Sequence, residues 1–346
     1  MFFFDRFWDL FSNDIAIDLG TANTLVYRKG LGVVISEPSV VALKKNSKKI
    51  IEIGQSAKNM LGKNPNEVEV IKPLKDGVIA DFQVTELMLR DIILRAQKRK
   101  FLIKPRVLVC VPSGITEVEK RAVHDSALHA GAREVHLCSE PVAAAIGANL
   151  DIEKPYGNLV MDIGGGTTEI AVISLSHIVV HNSIRLGGDK LDEDIVNYLR
   201  RKNNILVGLQ TAEHIKKEIG SAHPLEEEMK MDIRGRDIGT GYPVTVSITS
   251  EEIRNAIQES VSYMIDAVKR LFEKTAPELA SDIAEKGIIL TGGGALLRGL
   301  DRKISETVDL PVHVVPDSLT CVVKGSGMIL DDIERYRDVL IKKIEA

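Results

Sequence analysis

The sequence predicts an α/β protein built from two related halves around a cleft, and three observations carry that expectation. At 346 residues the chain exceeds the size at which one hydrophobic core usually keeps growing, so two domains or one divided body are expected. Strand-like β-branched runs are interspersed with segments of helical periodicity. The most specific observation is a duplication. GNLVMDIGGGTTE at 157–169 has a weaker copy, DIAIDLGTANT, at 14–24. In each, an apolar strand ends on an aspartate, a glycine turn follows, and a second strand begins, with Asp162 falling 144 residues after Asp18.

Along the chain, DIAIDLG is the first strand signal, continued by TLVYRKG after the polar TAN. EPSVVAL and KIIEIG follow with turn residues between them, so the chain opens as a β-meander. A helix is predicted over about 84–98, where Val84, Leu87, Met88, Ile92 and Leu94 or Ala96 recur near helical spacing. KPRVLVCVP reads as a buried strand ended by Pro112, before a helix near 117–130 and the strand EVHLC. In SEPVAAAIGANL, Pro141 suits the first helical position with Ser139 or Glu140 near the cap. The small side chains that follow let another backbone pack closely. After the 157–169 turn come charged helices around 189–202 and 211–220, a hairpin between Met229 and Thr249, and a long helix from about Ser250 to Lys274. KGIILTGGGALLRGL then reads as a strand running through glycines into a helix.

Composition limits the partners. With 45 basic and 49 acidic residues the net charge is -4, which gives no global attraction to nucleic acid, and no nucleic-acid partner is expected. Cys110, Cys138 and Cys321 are odd in number and lack CxxC spacing, which suggests neither a disulfide framework nor a zinc site and points to a reducing cytoplasm. No apolar run approaches the roughly 18 residues of a membrane span. The N-terminus, MFFFDRFWDLF, holds five of the eight Phe and the one Trp. On a helix Phe3, Phe4, Phe7, Trp8, Leu10 and Phe11 share one face, while Asp5, Arg6, Asp9, Ser12 and Asn13 share the other. Docking on the protein's own body is the bland alternative, but the aromatic density favours insertion into a lipid headgroup layer. Phe101, Leu102 and Ile103, beside the cations of KRK, are either core or a second membrane-touching patch.

The glycine turns carry the chemistry. A row of backbone N–H groups can hold phosphate oxygens only where the turn takes unusual dihedrals and no Cβ intervenes, which Gly164, Gly165 and Gly166 allow. Thr167 and Thr168 add hydroxyls, and Asp162 is placed to hold water ligands of Mg²⁺. Alone, such a turn is as well explained by a tight hairpin. Its copy at Asp18, Gly20, Thr21, Ala22 and Asn23 changes that, because two opposed hairpins would clamp one polyphosphate. TGGGALLRGL supplies a third turn, Gly292, Gly293 and Gly294, which serves either as a strand-to-helix joint or as a surface for a flat ring. Neither GxxxxGK[ST] nor GxGxxG is present.

DLGT at 18–21, DIGGGT at 162–167 and TGGG at 291–294 resemble the two phosphate motifs and the adenosine motif of the actin, Hsp70 and sugar-kinase superfamily. Within it, SEPVAAAIGANL, KDGVIAD, VPSGIT, TAEHIKKEIGSA, MDIRGRDIGTG and LTGGGALLRGL resemble the MreB family of bacterial actins over nearly the whole chain. The resemblance implies an actin-like ATPase fold: two duplicated ribonuclease-H-like domains around a nucleotide cleft, each with a small subdomain. It implies a membrane-binding segment at 1–13, domain I at 14–146 and 313–346 with its small subdomain near 33–70, and domain II at 147–312 with its small subdomain near 184–246. By the same likeness Thr21, Ala22 and Asn23 contact phosphate on one side, and Gly164 to Gly166 with Thr167 on the other. Asp18 and Asp162 organise hydrated Mg²⁺, and Glu140 orients the attacking water of ATP hydrolysis. Glu213, His214, Ile215 and Lys216 contact the nucleotide, although the Glu213 and Lys216 spacing alone suits an ordinary ion pair. Gly293, Gly294, Ala295 and Leu296 complete the adenine site. GSG at 325–327 is expected to line the cleft beside a solvated Lys324.

The function implied is an ATP-hydrolysing filament of paired antiparallel protofilaments. It would lie on the inner face of the cytoplasmic membrane, work with cell-shape and wall-synthesis membrane proteins, and maintain a rod-like cell. A sugar or acid kinase of the same superfamily is the alternative, and it would need a further general base beside Glu140. A chaperone ATPase would need a substrate domain, and the chain runs only about fifty residues past the adenosine motif.

Overall fold

The computed structural model describes residues 14–97 and 104–342. Its strands are β1 (Ile15–Leu19), β2 (Asn23–Arg28), β3 (Gly32–Pro38), β4 (Val41–Lys44), β5 (Lys49–Ile53), β6 (Val68–Ile71), β7 (Leu74–Lys75), β8 (Val78–Ile79), β9 (Arg106–Val111), β10 (Glu134–Ser139), β11 (Asn158–Ile163), β12 (Thr168–Ser174), β13 (His177–Ile184), β14 (Ile205–Leu206), β15 (Lys230–Asp237), β16 (Pro243–Thr249), β17 (Ile288–Thr291) and β18 (Val312–Val314). Its helices are α1 (Gln55–Met60), α2 (Phe82–Ala96), α3 (Glu117–His129), α4 (Glu140–Gly147), α5 (Gly188–Lys202), α6 (Leu209–Ile219), α7 (Ser250–Phe272), α8 (Pro277–Lys286), α9 (Leu300–Val308) and α10 (Cys321–Asp331).

Two five-stranded sheets form the body, and one repeats the other. The first runs β10-β9-β1-β2-β3 and the second β18-β17-β11-β12-β13. In each, an antiparallel three-stranded meander continues into two parallel strands. Register repeats too: Asp18 faces Leu25 in the first hairpin and Asp162 faces Glu169 in the second. The duplication in the sequence is thus the symmetry of the fold. Every residue of β11 and β12 is buried, as expected for strands covered on both faces.

The opening meander differs from expectation. Gly32–Pro38, not singled out in the sequence, is its third strand, whereas β4 leaves it to pair with β5 and β6 in a separate small sheet. Pro38 ends β3, where the lack of an N–H suits a strand's end. The 229–249 hairpin forms a second small sheet, β14-β15-β16. Helix α2 starts earlier than its apolar periodicity suggested, because the Asp81 side chain caps it by accepting the Val84 N–H at 3.0 Å.

One core packs the second sheet against α5, α6 and α7, and another packs the first sheet against α2 and α3. A third joins the halves. Ala16 and Leu108 of one sheet meet Val160 and Ala171 of the other around α4 and α10. These two helices cross backbone to backbone: a Cβ on Gly147 would stand 2.0 Å from the Cys321 carbonyl oxygen, and one on Gly325 1.8 Å from that of Ala143. The close packing expected of α4 is therefore present, and its partner corrects a second expectation. GSG at 325–327 does not line the cleft. Ser326 is fully buried and donates to Val322 O at 2.7 Å, while Gly327 lies on the Tyr27 ring. The Lys324 side chain reaches solvent, as expected, and pairs at the surface with Asp317 at 2.8 Å. No helix among the described residues is long and apolar enough to cross a membrane.

Candidate functional site

The two hairpin turns meet face to face. A Cβ on Gly165 would stand 2.5 Å from Ala22 Cβ, and one on Gly166 2.6 Å from Thr21 Oγ1, so the opposing turn itself excludes side chains here. The second turn is closed by Gly164 N–H donating to Thr167 O at 2.9 Å. Its carbonyls are also committed: Gly164 O accepts from Gly188 N–H at 3.0 Å and Gly165 O from Asp189 N–H at 2.8 Å, at the start of α5. In a trans peptide the carbonyl and the next N–H point in opposite directions. The N–H groups of Gly165 and Gly166 consequently point away from α5, the orientation an anion-binding turn needs.

Thr21 and Thr167 are both buried beside this contact. Gly77, at φ 79° in the turn between β7 and β8, donates its N–H to Thr21 Oγ1 at 3.1 Å. A Cβ there would stand 2.7 Å from Thr167 Cγ2, so Gly77 fits between the two threonines only as glycine. It carried no role in the sequence reading beyond its place in KDGVIAD.

Four carboxylates gather behind the turns. Asp18 and Asp162 are the penultimate residues of β1 and β11, Glu140 opens α4, and Glu169 is the second residue of β12. Burial, then the charge of Asp162, raises Asp18 to about 7. Burial raises Asp162 to about 6, with the Glu169 charge adding and the Thr291 hydroxyl, donating at 2.8 Å, opposing. Glu140 is pushed well above the ordinary carboxylate range, first by burial and then by Glu169, Asp18 and Asp162. Glu169 accepts the Ser113 N–H at 3.0 Å and the Ser183 hydroxyl. Glu169 was missed in the sequence, where its signal was an acid inside the otherwise apolar strand TEIAVIS.

Buried acids that repel one another and resist ionisation suit a hard divalent cation. No cluster of three His, Cys, Asp or Glu among the described residues could grip a metal directly. Asp18 and Asp162 offer the hard carboxylate oxygens that the water shell of a Mg²⁺ ion would need.

On α6, Glu213 and Lys216 do not pair with each other. Lys216 donates to Gly188 O at 2.6 Å and pairs with Asp192 at 2.7 Å, which holds it against the start of α5 and hence the glycine turn. Glu213 takes Lys58 at 2.6 Å and Lys217 at 2.7 Å. Burial works against its charge, but the bonds from Lys217 and Lys58 prevail and hold it near 2. His214 is exposed, whereas Ile215 is fully buried in the core and presents only backbone.

The end of α6 abuts the third glycine turn, where Ala222 N–H donates to Arg298 O at 2.8 Å. The glycines do not open the helix directly: a 3-10 turn spans Gly293–Leu296 and α9 begins at Leu300. A Cβ on Gly292 would stand 2.4 Å from Ile163 O, and one on Gly294 2.2 Å from Ile163 Cγ2. Those two glycines answer to β11. Gly293 alone keeps an open side, its nearest neighbour being Leu319 at 3.2 Å from such a Cβ. The Ala295 side chain belongs to the core and Leu296 is exposed. Phe3, Phe4, Phe7, Trp8, Phe11, Phe101, Leu102 and Ile103 lie outside the described residues.

Residues 12–338 match the family described as MreB/Mbl protein. The chain is 51% identical over 336 residues to the cell shape-determining protein MreB of Escherichia coli (strain K12), covering 96% of this chain and 97% of that one. It is 47% identical over 326 residues to the cell shape-determining protein Mbl of Bacillus subtilis (strain 168), covering 94% and 98%. Among solved structures it is similar to MreB5 of Spiroplasma citri bound to ADP, with TM-score 0.89 and 41% identity over 95% of this chain and 98% of that one. A MamK double helical filament shares the fold at TM-score 0.78 and 21% identity, over 92% and 99%.

Proposed function

The chain belongs to the MreB/Mbl family, with an actin-like fold, and from that premise we propose that it is a bacterial actin that binds and hydrolyses ATP and forms membrane-associated filaments that maintain rod-like cell shape. The observation that carries this reading is the pair of opposed hairpin turns from the two sheets, with the amides of Gly165 and Gly166 freed by the ties of Gly164 and Gly165 to α5. The Spiroplasma citri relatives bound to ADP and to AMPPNP support a nucleotide as the ligand.

In this reading the triphosphate lies along the seam where the two turns meet, contacted by Thr21, Ala22 and Asn23 from one turn and by Gly164 to Gly166 with Thr167 from the other. Asp18 and Asp162 would hold Mg²⁺ through water, and the ion supplies neutralisation of phosphate charge. Glu140, fixed at the start of α4, orients the attacking water. Its raised affinity for protons equips it to accept one. Lys216 and Glu213 face the ribose, and the open side of Gly293 takes the flat base. Because the γ-phosphate is contacted from both sheets, hydrolysis removes a bridge between halves, and ATP times the life of a polymer.

The filament reading extends to paired antiparallel protofilaments on the inner face of the cytoplasmic membrane, working with cell-shape and wall-synthesis membrane proteins. Many weak contacts from the aromatic N-terminus and from Phe101, Leu102 and Ile103 would sum along a polymer. The test is co-sedimentation with ATP and Mg²⁺, with and without liposomes, followed by electron microscopy of the pellet. Filaments coating the liposomes are expected. A protein that stays in the supernatant and turns over ATP only with an added hydroxylated small molecule would identify a kinase instead.

A further inference from the structure

Two lysines of the first half reach the second half at the cleft. Lys58, on α1 of the small sheet β5-β4-β6, pairs with Glu213 of α6 at 2.6 Å. Its backbone carbonyl also accepts from the Gln210 side chain. Gln210 and Glu213 are three residues apart, so α6 presents a donor and an acceptor on one face to a single residue. Lys72, just beyond β6, pairs with Asp189 of α5 at 2.9 Å. The far ends of both contacts matter more than their strength. In the proposed reading Glu213 faces the ribose, and Asp189 donates its own N–H to Gly165 O of the glycine turn at 2.8 Å.

We propose that Lys58 and Lys72 form a two-point clasp across the cleft that sets how long nucleotide stays bound. Lys58 fixes the Glu213 carboxylate through one oxygen while Lys217 holds the other, and a carboxylate with about four acceptor sites still has lone pairs for a ribose hydroxyl. Lys72 restrains the residue that anchors the glycine turn. Release of the nucleotide then requires both contacts to part, since each ties the first half to the second. Side chains of the Lys58 pair are 25% and 23% exposed and those of the Lys72 pair 37% and 35%, so Lys58 is the stronger clasp and Lys72 the better screened by salt. These are positioning residues, and the inference rests on the nucleotide reading of the cleft.

The experiment is stopped-flow release of a fluorescent ADP from the full-length protein with Mg²⁺ present. Lys72→Asp and Asp189→Lys should each speed release about two- to fivefold, the range of a partly exposed ion pair, and the double exchange should return it to near the parent rate. Lys58→Gln should speed release to at least the same degree. Parent release should quicken with salt as the pairs are screened. Unchanged release in the single variants, or a double exchange as fast as either single, overturns the clasp while the nucleotide reading stands. A parent protein that retains no labelled nucleotide overturns both.

Discussion

Asp18 and Asp162 start from an ordinary value of 3.8, and the fold moves them to about 7 and about 6. The folded chain therefore keeps protons that the unfolded chain has already released. Their contribution to stability is fully present below 3.8 and is lost as pH rises through about 6 and about 7. Denaturant melts of nucleotide-free protein should show stability falling between those limits, and Mg²⁺ with nucleotide should flatten the slope by favouring the charged carboxylates. Glu134 and Glu213, held near 2 from an ordinary 4.5, act in the opposite sense and add stability as pH rises to 4.5, so the fall is read above that value. Asp18→Asn should remove part of the slope in metal-free protein, the remainder belonging to Asp162, Asp192 and Glu140, which are also raised, and an unchanged slope would refute a contribution from Asp18. Glu140→Gln should slow single-turnover hydrolysis about 10²- to 10⁴-fold with nucleotide affinity nearly unchanged. The positions of Asp18 and Asp162 were legible because each lies near the end of a strand that runs into a glycine turn, whereas Glu140 was singled out through the family resemblance. Glu169, Gly77 and Lys58 were not, because their roles come from partners such as Ser113, Thr21 and Glu213, which are distant in the chain.

The glycines of α4 and α10 give a test whose sign decides. Gly325 lies inside α10, where helix propensity alone predicts that alanine would add about 1 kcal/mol of stability. The contact predicts the reverse, because the new Cβ would stand 1.8 Å from the Ala143 carbonyl oxygen and force the helices apart. Gly325→Ala should lower stability by about 1–3 kcal/mol in equilibrium urea unfolding, as overpacking does. A gain would mean that the crossing is looser than the structure has it. The small-residue composition of α4 announced a close neighbour, but not that its neighbour was α10. The same limit applied to GSG, since a stretch of small residues fits a cleft wall and a helix crossing equally well. At the third turn, Gly292 and Gly294 matched a base-binding motif while the structure gives each a packing reason on Ile163.

At the scale of the molecule, the duplication was readable because two copies 144 residues apart share one strand-turn-strand pattern, and the two sheets reproduce it in order and register. The small sheets were less readable: a meander that changes sheet after Pro38 looks locally like one that does not. Removal of residues 1–11 should abolish pelleting with liposomes and leave ATP hydrolysis within about twofold, since the proposed membrane insertion and the proposed phosphate chemistry draw on separate parts of the chain. Liposome binding retained by the truncated protein would move the membrane contact elsewhere. The crossing of α4 and α10 also governs how the halves can move. Backbones packed without side chains between them leave no room for sliding, so motion there is confined to swivelling about a fixed pivot. Displacement about a pivot grows with distance from it, which makes the tips bearing Lys58 and Glu213 the long arms of a lever. A shift too small to notice at the phosphates would be geared up at the rim into a change of outline that an adjoining subunit in a filament would feel.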